Sequence, residues 1–174
     1  MLQKLIFFFS FCCFSVLLTA QKPPENQTEF EKAYERRIRK DVLHGVYIPK
    51  DLPEAFIELN KKIDAESKAA FKSYPEDQVA DKLFYGFGRW IVHNWGFYGG
   101  SRLSNYIKSM GIYHPEDMAR FIIIAYHRHL NEKEVDIVSL MKVFHEKQNK
   151  EKQELLKGGE ILHEEMRKRE GGGQ

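Results

Sequence analysis

The side chains best suited to chemistry gather in the stretch HNWGFYGGSRL, residues 93–103. A hydrolase-like mechanism needs a base, a nucleophile and an orienting carboxylate, and His93 or His127, Ser101 and Asp117 are residues of those types. Ser101 follows two glycines, but the sequence has neither the G-x-S-x-G pattern nor a preceding strand. A helix N-cap is therefore the simpler role for Ser101, and an enzyme is the alternative hypothesis.

The histidines lack the spacing of a helical metal site. His127 and His129 lie two positions apart, so a helix directs them about 200° away from each other. Metal-binding pairs on one helix are spaced i, i+4, as in H-E-x-x-H. His93 and His127 could meet across two helices with Asp117 as a third ligand, but a buried, hydrogen-bonded histidine is the ordinary case. The sequence therefore predicts no metal ion and no cofactor.

Several arginines lie among aromatic and apolar residues: Arg89, Arg102, Arg120 and Arg128. An arginine in such surroundings usually pairs with a carboxylate or stacks on a ring. For Arg102 we expect Asp117 or the face of Trp95 as the partner. The alternative is a pocket for an anion or a peptide carboxylate.

The rings of the turn at residues 95–98 are the main candidates for contact with a partner, because Trp and Tyr favour interfaces. We expect these rings to be exposed, and a lid over the core is the alternative. The predicted binding residues are Asn94, Trp95, Phe97, Tyr98, Arg102, His114 and Tyr126.

The chain of 174 residues carries 27 basic and 25 acidic side chains. This near balance argues against a nucleic-acid-binding protein, which needs excess cations to displace counterions from phosphate. The two cysteines, Cys12 and Cys13, lie in the N-terminal apolar segment. If that segment is removed, the remaining chain can form no disulfide, thiolate nucleophile or cysteine metal site.

Residues 1–20 are typical of a secretory signal peptide. The apolar run Leu5–Leu18 is shorter than the ~20 residues that a membrane-spanning helix needs, and Ala20 is a small residue before the expected cleavage site. We therefore expect an exported protein, periplasmic or secreted, without a membrane span after cleavage. An uncleaved N-terminal anchor is the alternative.

Hydrophobic periodicity predicts an all-α fold, a compact bundle of about five to six short helices in residues 47–131. Residues 21–46 form a linker and a helix that Thr28 and Glu31 begin as a capping box. The apolar run at residues 119–130 predicts the central helix. Nothing alternates with period two for long enough to predict a strand.

Two glycines interrupt the most aromatic of the predicted helices, Gly86 and Gly88. Each costs about 1 kcal/mol relative to alanine in a helix. Close approach of a neighbouring helix to the bare backbone is the expected compensation. A ligand on the same surface is the alternative.

Residues 132–174 are predicted to form a polar C-terminal helix and a frayed tail. An apolar stripe ends at Phe144, and the ten residues HEKQNKEKQE that follow contain no apolar side chain. Such a helix is solvent-bridging or marginal. Gly158 and Gly159 are expected to break it.

Two segments, IPKDLPEAFIELNK and GRWIVHNWGFYGGSRLSNYIKSMGIYHPEDMARFIIIAYHRHLN, resemble an uncharacterised bacterial domain of unknown function. The family's pattern runs approximately W-[LI]-R-N-x-W-G-L-W-x-x-S-x-L, then G-I-x-H-P-D-D-M-S, then Y-H-R-x-L-N. This chain departs from the pattern at His93 for arginine, Glu116 for aspartate and Ala119 for serine. The pattern falls on Trp90, Asn94, Trp95, Gly96, Ser101, Leu103, Gly111, Ile112, His114, Pro115, Asp117, Met118, Tyr126, His127, Arg128, Leu130 and Asn131.

The resemblance implies a domain over about residues 47–131, and it implies no activity. We therefore expect an exported helical domain that binds another protein or an envelope component. The alternative is a small hydrolase-like enzyme that uses His93, Ser101, Asp117 and His127. A third possibility is a scaffold tethered by its polar helix, and the sequence predicts no oligomeric state.

Overall fold

A computed structural model of the chain describes residues 26–171, with side chains described to residue 158. The predicted signal peptide, residues 1–20, lies outside this range. Seven helices and a long C-terminal helix are present in the described part of the chain, so the predicted helical bundle is confirmed. The helices are α1 Gln27–Arg37, α2 Leu52–Lys62, α3 Ala65–Ser73, α4 Glu76–Leu83, α5 Arg89–Asn94, α6 Arg102–Ser109, α7 Pro115–Leu130 and α8 Ile137–Gly171.

A small β-ribbon follows α1 and is the one departure from an all-helical fold within the described residues. β1 (Val42–Leu43) pairs antiparallel with β2 (Val46–Tyr47). His44 and Gly45 connect them with φ angles of 50° and 78°. Strands of two residues are too short for an alternating pattern to show in the sequence.

Side-chain caps begin several of the helices, including α2 and α6. Asp51 accepts a hydrogen bond from the Glu54 amide at 2.9 Å, and Ser101 and Ser104 form a reciprocal capping box at the start of α6. The predicted cap at Ser101 is therefore confirmed, and Asp51 caps α2 in the same way.

The predicted capping box at Thr28 is wrong. Asn26 caps α1 instead, and its side-chain oxygen accepts from the Glu29 amide at 2.9 Å. Asparagine is at least as good an N-cap as threonine. The helix therefore begins at Gln27, two residues earlier than Thr28 would allow.

Helix α7 is the centre of the bundle, as predicted. The helices α2 to α6 and α8 all contact it. Phe121, Ile122 and Ile123 are fully buried in its middle. Burial of these apolar side chains is the main stabilising contribution of the bundle.

A π-helical segment, Phe84–Gly88, joins α4 to α5. A Cβ atom on Gly88 would lie 2.7 Å from Phe84 Cδ2 and 3.2 Å from Ile123 Cδ1. The expected close approach of a neighbouring helix is therefore confirmed at Gly88. It is wrong at Gly86, because Gly86 is exposed and its Cβ would meet nothing within 4 Å.

Helix α8 packs on the bundle only through its first turns, where Leu140 and Phe144 are buried. It then continues without interruption through Gly158 to Gly171, so the expected break at Gly158 and Gly159 is wrong. A glycine lowers helix stability by about 1 kcal/mol without preventing helical geometry. Among the described residues, no helix combines the length and apolarity needed to cross a membrane.

Candidate functional site

The turn at residues 93–103 joins α5 to α6 and carries most of the predicted site residues. The side-chain amide of Asn94 donates to the Trp90 carbonyl at 2.9 Å. Gly96 and Gly100 have φ angles of 64° and 83°, in the left-handed region that glycine enters at little cost. Ser101 then starts α6. The stretch is therefore a helix end, a glycine turn and a helix start, as its sequence predicts.

The rings of this turn do not share one environment. Trp95 and Phe97 are buried, with 0% and 2% of their surface exposed, whereas Tyr98 is 70% exposed. The expectation of exposed rings is therefore wrong for Trp95 and Phe97 and confirmed for Tyr98. Burial of large rings is strongly favourable, and the turn folds the first two into the core as a lid.

Arg102 holds the β-ribbon and α2 against the start of α6. Its Nε donates to the Ile48 carbonyl at 2.5 Å, and its Nη2 lies 3.4 Å from the Glu54 carboxylate. Its guanidinium also lies 5.0 Å from the centre of the Tyr47 ring. The expected partners Asp117 and Trp95 are therefore wrong, although the expected kinds of partner, a carboxylate and a ring, are correct.

The Glu54 carboxylate accepts several hydrogen bonds at this contact. Hydrogen bonds from the backbone amide and then the ammonium of Lys50 lower the pKa of Glu54 to about 2. The Tyr47 hydroxyl donates a further hydrogen bond at 2.9 Å. Each of these bonds favours the charged carboxylate, so the group stays ionised beside Arg102.

Two of the other arginines named from the sequence also pair with carboxylates. Arg128 Nη2 lies 2.7 Å from Glu76 Oε1. Arg120 lies 3.3 Å from Asp81 and 3.9 Å from the centre of the Phe84 ring. The prediction of structural partners is therefore confirmed for both.

Three of the four residues of the hydrolase hypothesis have separate partners, and the fourth is exposed. Ser101 is a buried helix cap, and Asp117 forms an ion pair of 2.6 Å with Lys147 of α8. His127 Nε2 lies 3.0 Å from the Tyr74 carbonyl, while His93 is exposed at the end of α5. No hydrogen bond found among the described residues joins any two of the four. The arrangement therefore offers no nucleophile activated by a base.

Two further predicted binding residues differ in burial. Tyr126 is fully buried, its hydroxyl donates to Asn60 Oδ1 at 3.0 Å, and burial raises its pKa to about 12. His114 is exposed at the start of α7. The described part of the chain holds no group of three or more His, Cys, Asp or Glu side chains that could bind a metal ion.

Helix α1 docks on the glycine turn, a contact that the sequence did not predict. Arg37 Nε donates to the Gly100 carbonyl at 3.0 Å. A Cβ atom on Gly99 would lie 2.9 Å from the Arg37 guanidinium, and one on Gly100 would overlap the Tyr34 ring. The adjacent glycines are the available signal, because a bare backbone often marks a close approach.

Tyr98 lies between two grooves that α1 helps to form. The basic groove, about 470 Å³, is lined by Arg37, Leu43, His44, Val46, Val92, His93, Asn94, Gly96, Tyr98 and Gly99. The aromatic groove, about 550 Å³, is lined by Phe30, Glu31, Tyr34, Glu35, Tyr98 and Lys108. The Tyr98 hydroxyl donates to Glu116 at 2.5 Å, and this bond raises the pKa of Tyr98 and lowers that of Glu116.

Comparison with known proteins identifies the central part of the chain. No curated protein and no solved structure matches it. A family model described as a domain of unknown function, DUF6794, matches residues 48–130. This range contains α2 to α7 and the glycine turn, whereas α1, the β-ribbon and α8 lie outside it. A domain of unknown function, DUF6794, therefore covers residues 48–130 of this chain.

Proposed function

We propose that this protein is an exported interaction module that binds another protein through the surface around Tyr98. The observation that carries the proposal is a large aromatic ring, 70% exposed, whose hydroxyl is fixed by Glu116. Tyrosine is enriched among the residues that dominate binding energy. A ring already held in place loses little conformational freedom on binding.

The surroundings of Tyr98 also support the proposal that this surface binds a partner. Grooves on both sides of the ring provide concave surface next to it. The basic groove is lined by Arg37, His44 and His93 and by no carboxylate, whereas Glu31 and Glu35 outnumber the single cation, Lys108, in the aromatic groove. Such a change of charge across a surface favours one orientation of a partner.

Site-specific photo-crosslinking tests this surface. A photoreactive phenylalanine analogue at position 98 is expected to give a discrete protein adduct in the cells that produce this chain. Tyr85, which is 77% exposed on the π-helical segment, provides the matched control position. Adducts at both positions, or at neither, would contradict the proposal.

Export is the second part of the proposal and rests on residues 1–20. The short apolar run followed by Ala20 supports cleavage. The intact mass of the protein recovered from its own cells is expected to correspond to a chain that begins at Gln21. A full-length mass in the membrane fraction would indicate the uncleaved anchor, and a full-length mass in the cytoplasm would contradict export.

A further inference from the structure

We infer that the aromatic groove receives a cationic side chain, a lysine or arginine, of the protein partner. This inference rests on the proposed interaction surface and specifies the chemistry of what binds there. The groove joins α1, which lies outside the DUF6794 match, to Tyr98 and Lys108 inside it. The proposed recognition site therefore combines residues of the DUF6794 region with residues of α1.

Three aromatic rings line the groove. Phe30 and Tyr34, one turn apart on α1, line one wall, and Tyr98 lines the other. Phe30 is 46% exposed and Tyr98 is 70% exposed, so both rings are accessible to a ligand. The faces of aromatic rings carry negative potential and attract cations.

Two carboxylates line the same groove. Glu31 and Glu35 are also one turn apart on α1, and both line the groove. Glu35 already pairs with the exposed guanidinium of Arg39 at 3.3 Å. Among the described residues, Glu31 accepts a hydrogen bond only from the uncharged side-chain amide of Gln27, at 2.9 Å. The α1 side of the groove therefore contributes two carboxylates, and Glu31 has no cationic partner among the described residues.

The chain itself provides a cation that uses this groove. Lys108 Nζ lies 4.7 Å from the centre of the Tyr34 ring and 3.5 Å from its hydroxyl oxygen. Among the described residues, no cation lies over the ring of Phe30 or Tyr98. An incoming lysine or arginine would therefore occupy the ring faces that Lys108 leaves open.

The basic groove on the other side of Tyr98 favours the same placement. Arg37 lines that groove and donates to the Gly100 carbonyl. No carboxylate lining the basic groove offsets the positive charge of Arg37, whereas the two carboxylates lining the aromatic groove outnumber Lys108. Electrostatic complementarity of this kind selects the orientation of a partner.

A titration with blocked tripeptides tests the inference directly. The probes are Ac-Gly-Arg-Gly-NH2 and Ac-Gly-Lys-Gly-NH2, with Ac-Gly-Glu-Gly-NH2 as the charge-reversed control. Aromatic 1H–13C NMR spectra of the purified chain, in the form recovered from cells, report on Phe30, Tyr34 and Tyr98. We expect saturable shifts of these rings with the cationic peptides and none with the acidic peptide.

Variants assign the effect to the groove. Tyr98→Ala is expected to weaken binding of the arginine peptide about threefold or more, while Tyr98→Phe retains the ring and the binding. The pair Glu31→Gln and Glu35→Gln should weaken binding and reduce its dependence on salt. Tyr85→Ala serves as the exposed-tyrosine control and should leave binding unchanged.

Three results would overturn the inference: no ring shifts with the cationic peptides, equal shifts with the acidic peptide, or unchanged binding in Tyr98→Ala. Crosslinking at position 98 separates this failure from failure of the proposed function. An adduct without cation binding leaves the interaction surface intact and removes the cationic ligand. Cation binding without an adduct supports the groove chemistry and contradicts the proposed protein partner.

Discussion

Gly100 shows how a single position can be restricted by both backbone and neighbours. Its φ angle of 83° lies in the left-handed region, and the Tyr34 ring of α1 covers the place where a Cβ would project. Gly86 has neither restriction, because it is exposed and no atom lies within 4 Å of its Cβ position. Glycines in this chain therefore differ in their contribution to stability.

Substitution of these glycines should have opposite effects. Gly100→Ala is expected to lower the free energy of unfolding by about 1–2 kcal/mol or more, since alanine is strained at positive φ and its methyl group would displace Tyr34. Gly86→Ala should raise it by about 0.5–1 kcal/mol, because alanine loses less backbone entropy in a helix. Urea denaturation of both variants measures the difference, and equal midpoints would contradict this account.

Ionisation of Glu54 should make the free energy of unfolding depend on pH in the acid range. Its pKa in the folded protein is about 2, below the ordinary value of 4.5, because Lys50 donates hydrogen bonds to it. The stabilisation is therefore complete above about pH 4.5 and is lost as the pH falls toward 2. Glu54→Gln should reduce the fall in urea midpoint between these pH values, and an unchanged fall would contradict the assignment.

At the scale of single elements, α8 divides into a packed part and a projecting part. Phe144 is 4% exposed, and its ring centre lies 6.0 Å from that of Phe121 in α7. Lys147 then pairs with the buried Asp117. From residue 149 to residue 157 every side chain is exposed, including Leu155. The first turns of α8 therefore belong to the bundle although they lie outside the family match.

Alanine substitutions should reveal this division. Phe144→Ala is expected to lower the free energy of unfolding by about 3 kcal/mol or more, since it removes a buried ring and leaves a cavity. Leu155→Ala, on the same helix, should change it by less than about 0.5 kcal/mol. Thermal or urea unfolding compares the two, and similar losses would show that the outer part of α8 also packs on the domain.

At the scale of the whole molecule, the two flanking segments dock on the central domain at glycines. Arg37 and Tyr34 of α1 cover Gly99 and Gly100, while His145 of α8 covers Gly111. His145 Nε2 also lies 3.1 Å from the Met110 carbonyl. Helix α1 has no buried residue, so its attachment depends on a few such contacts.

Hydrogen exchange should detect the weak attachment of α1. Arg37→Ala removes the hydrogen bond to Gly100 and is expected to speed amide exchange several-fold in α1 while α7 stays unchanged. Arg36→Ala is the matched control, because it removes the same type of side chain from an exposed position on α1. Faster exchange in α7 with Arg37→Ala, or equal effects of both variants, would contradict independent docking of α1.

Local signals account for the features that sequence predicted well. Ser101 caps α6 through the amide three residues away, and the apolar run of α7 favours burial at the centre of the bundle. Partners at long range were less predictable. Arg102 required a carboxylate and a ring, but Glu54 and Tyr47 lie about 50 positions away in the chain. Several carboxylates in the sequence were suitable partners for Arg102, and residue type alone did not distinguish among them.

The sequence by itself determined the helical class, the main helix starts and the extent of the family domain, because these depend on periodicity and on contacts between near neighbours. Only the tertiary structure decided that Trp95 and Phe97 are buried while Tyr98 is exposed. It also decided that α1 covers the glycine turn. Exposure and docking depend on which distant surfaces meet, and residue type alone does not specify that geometry.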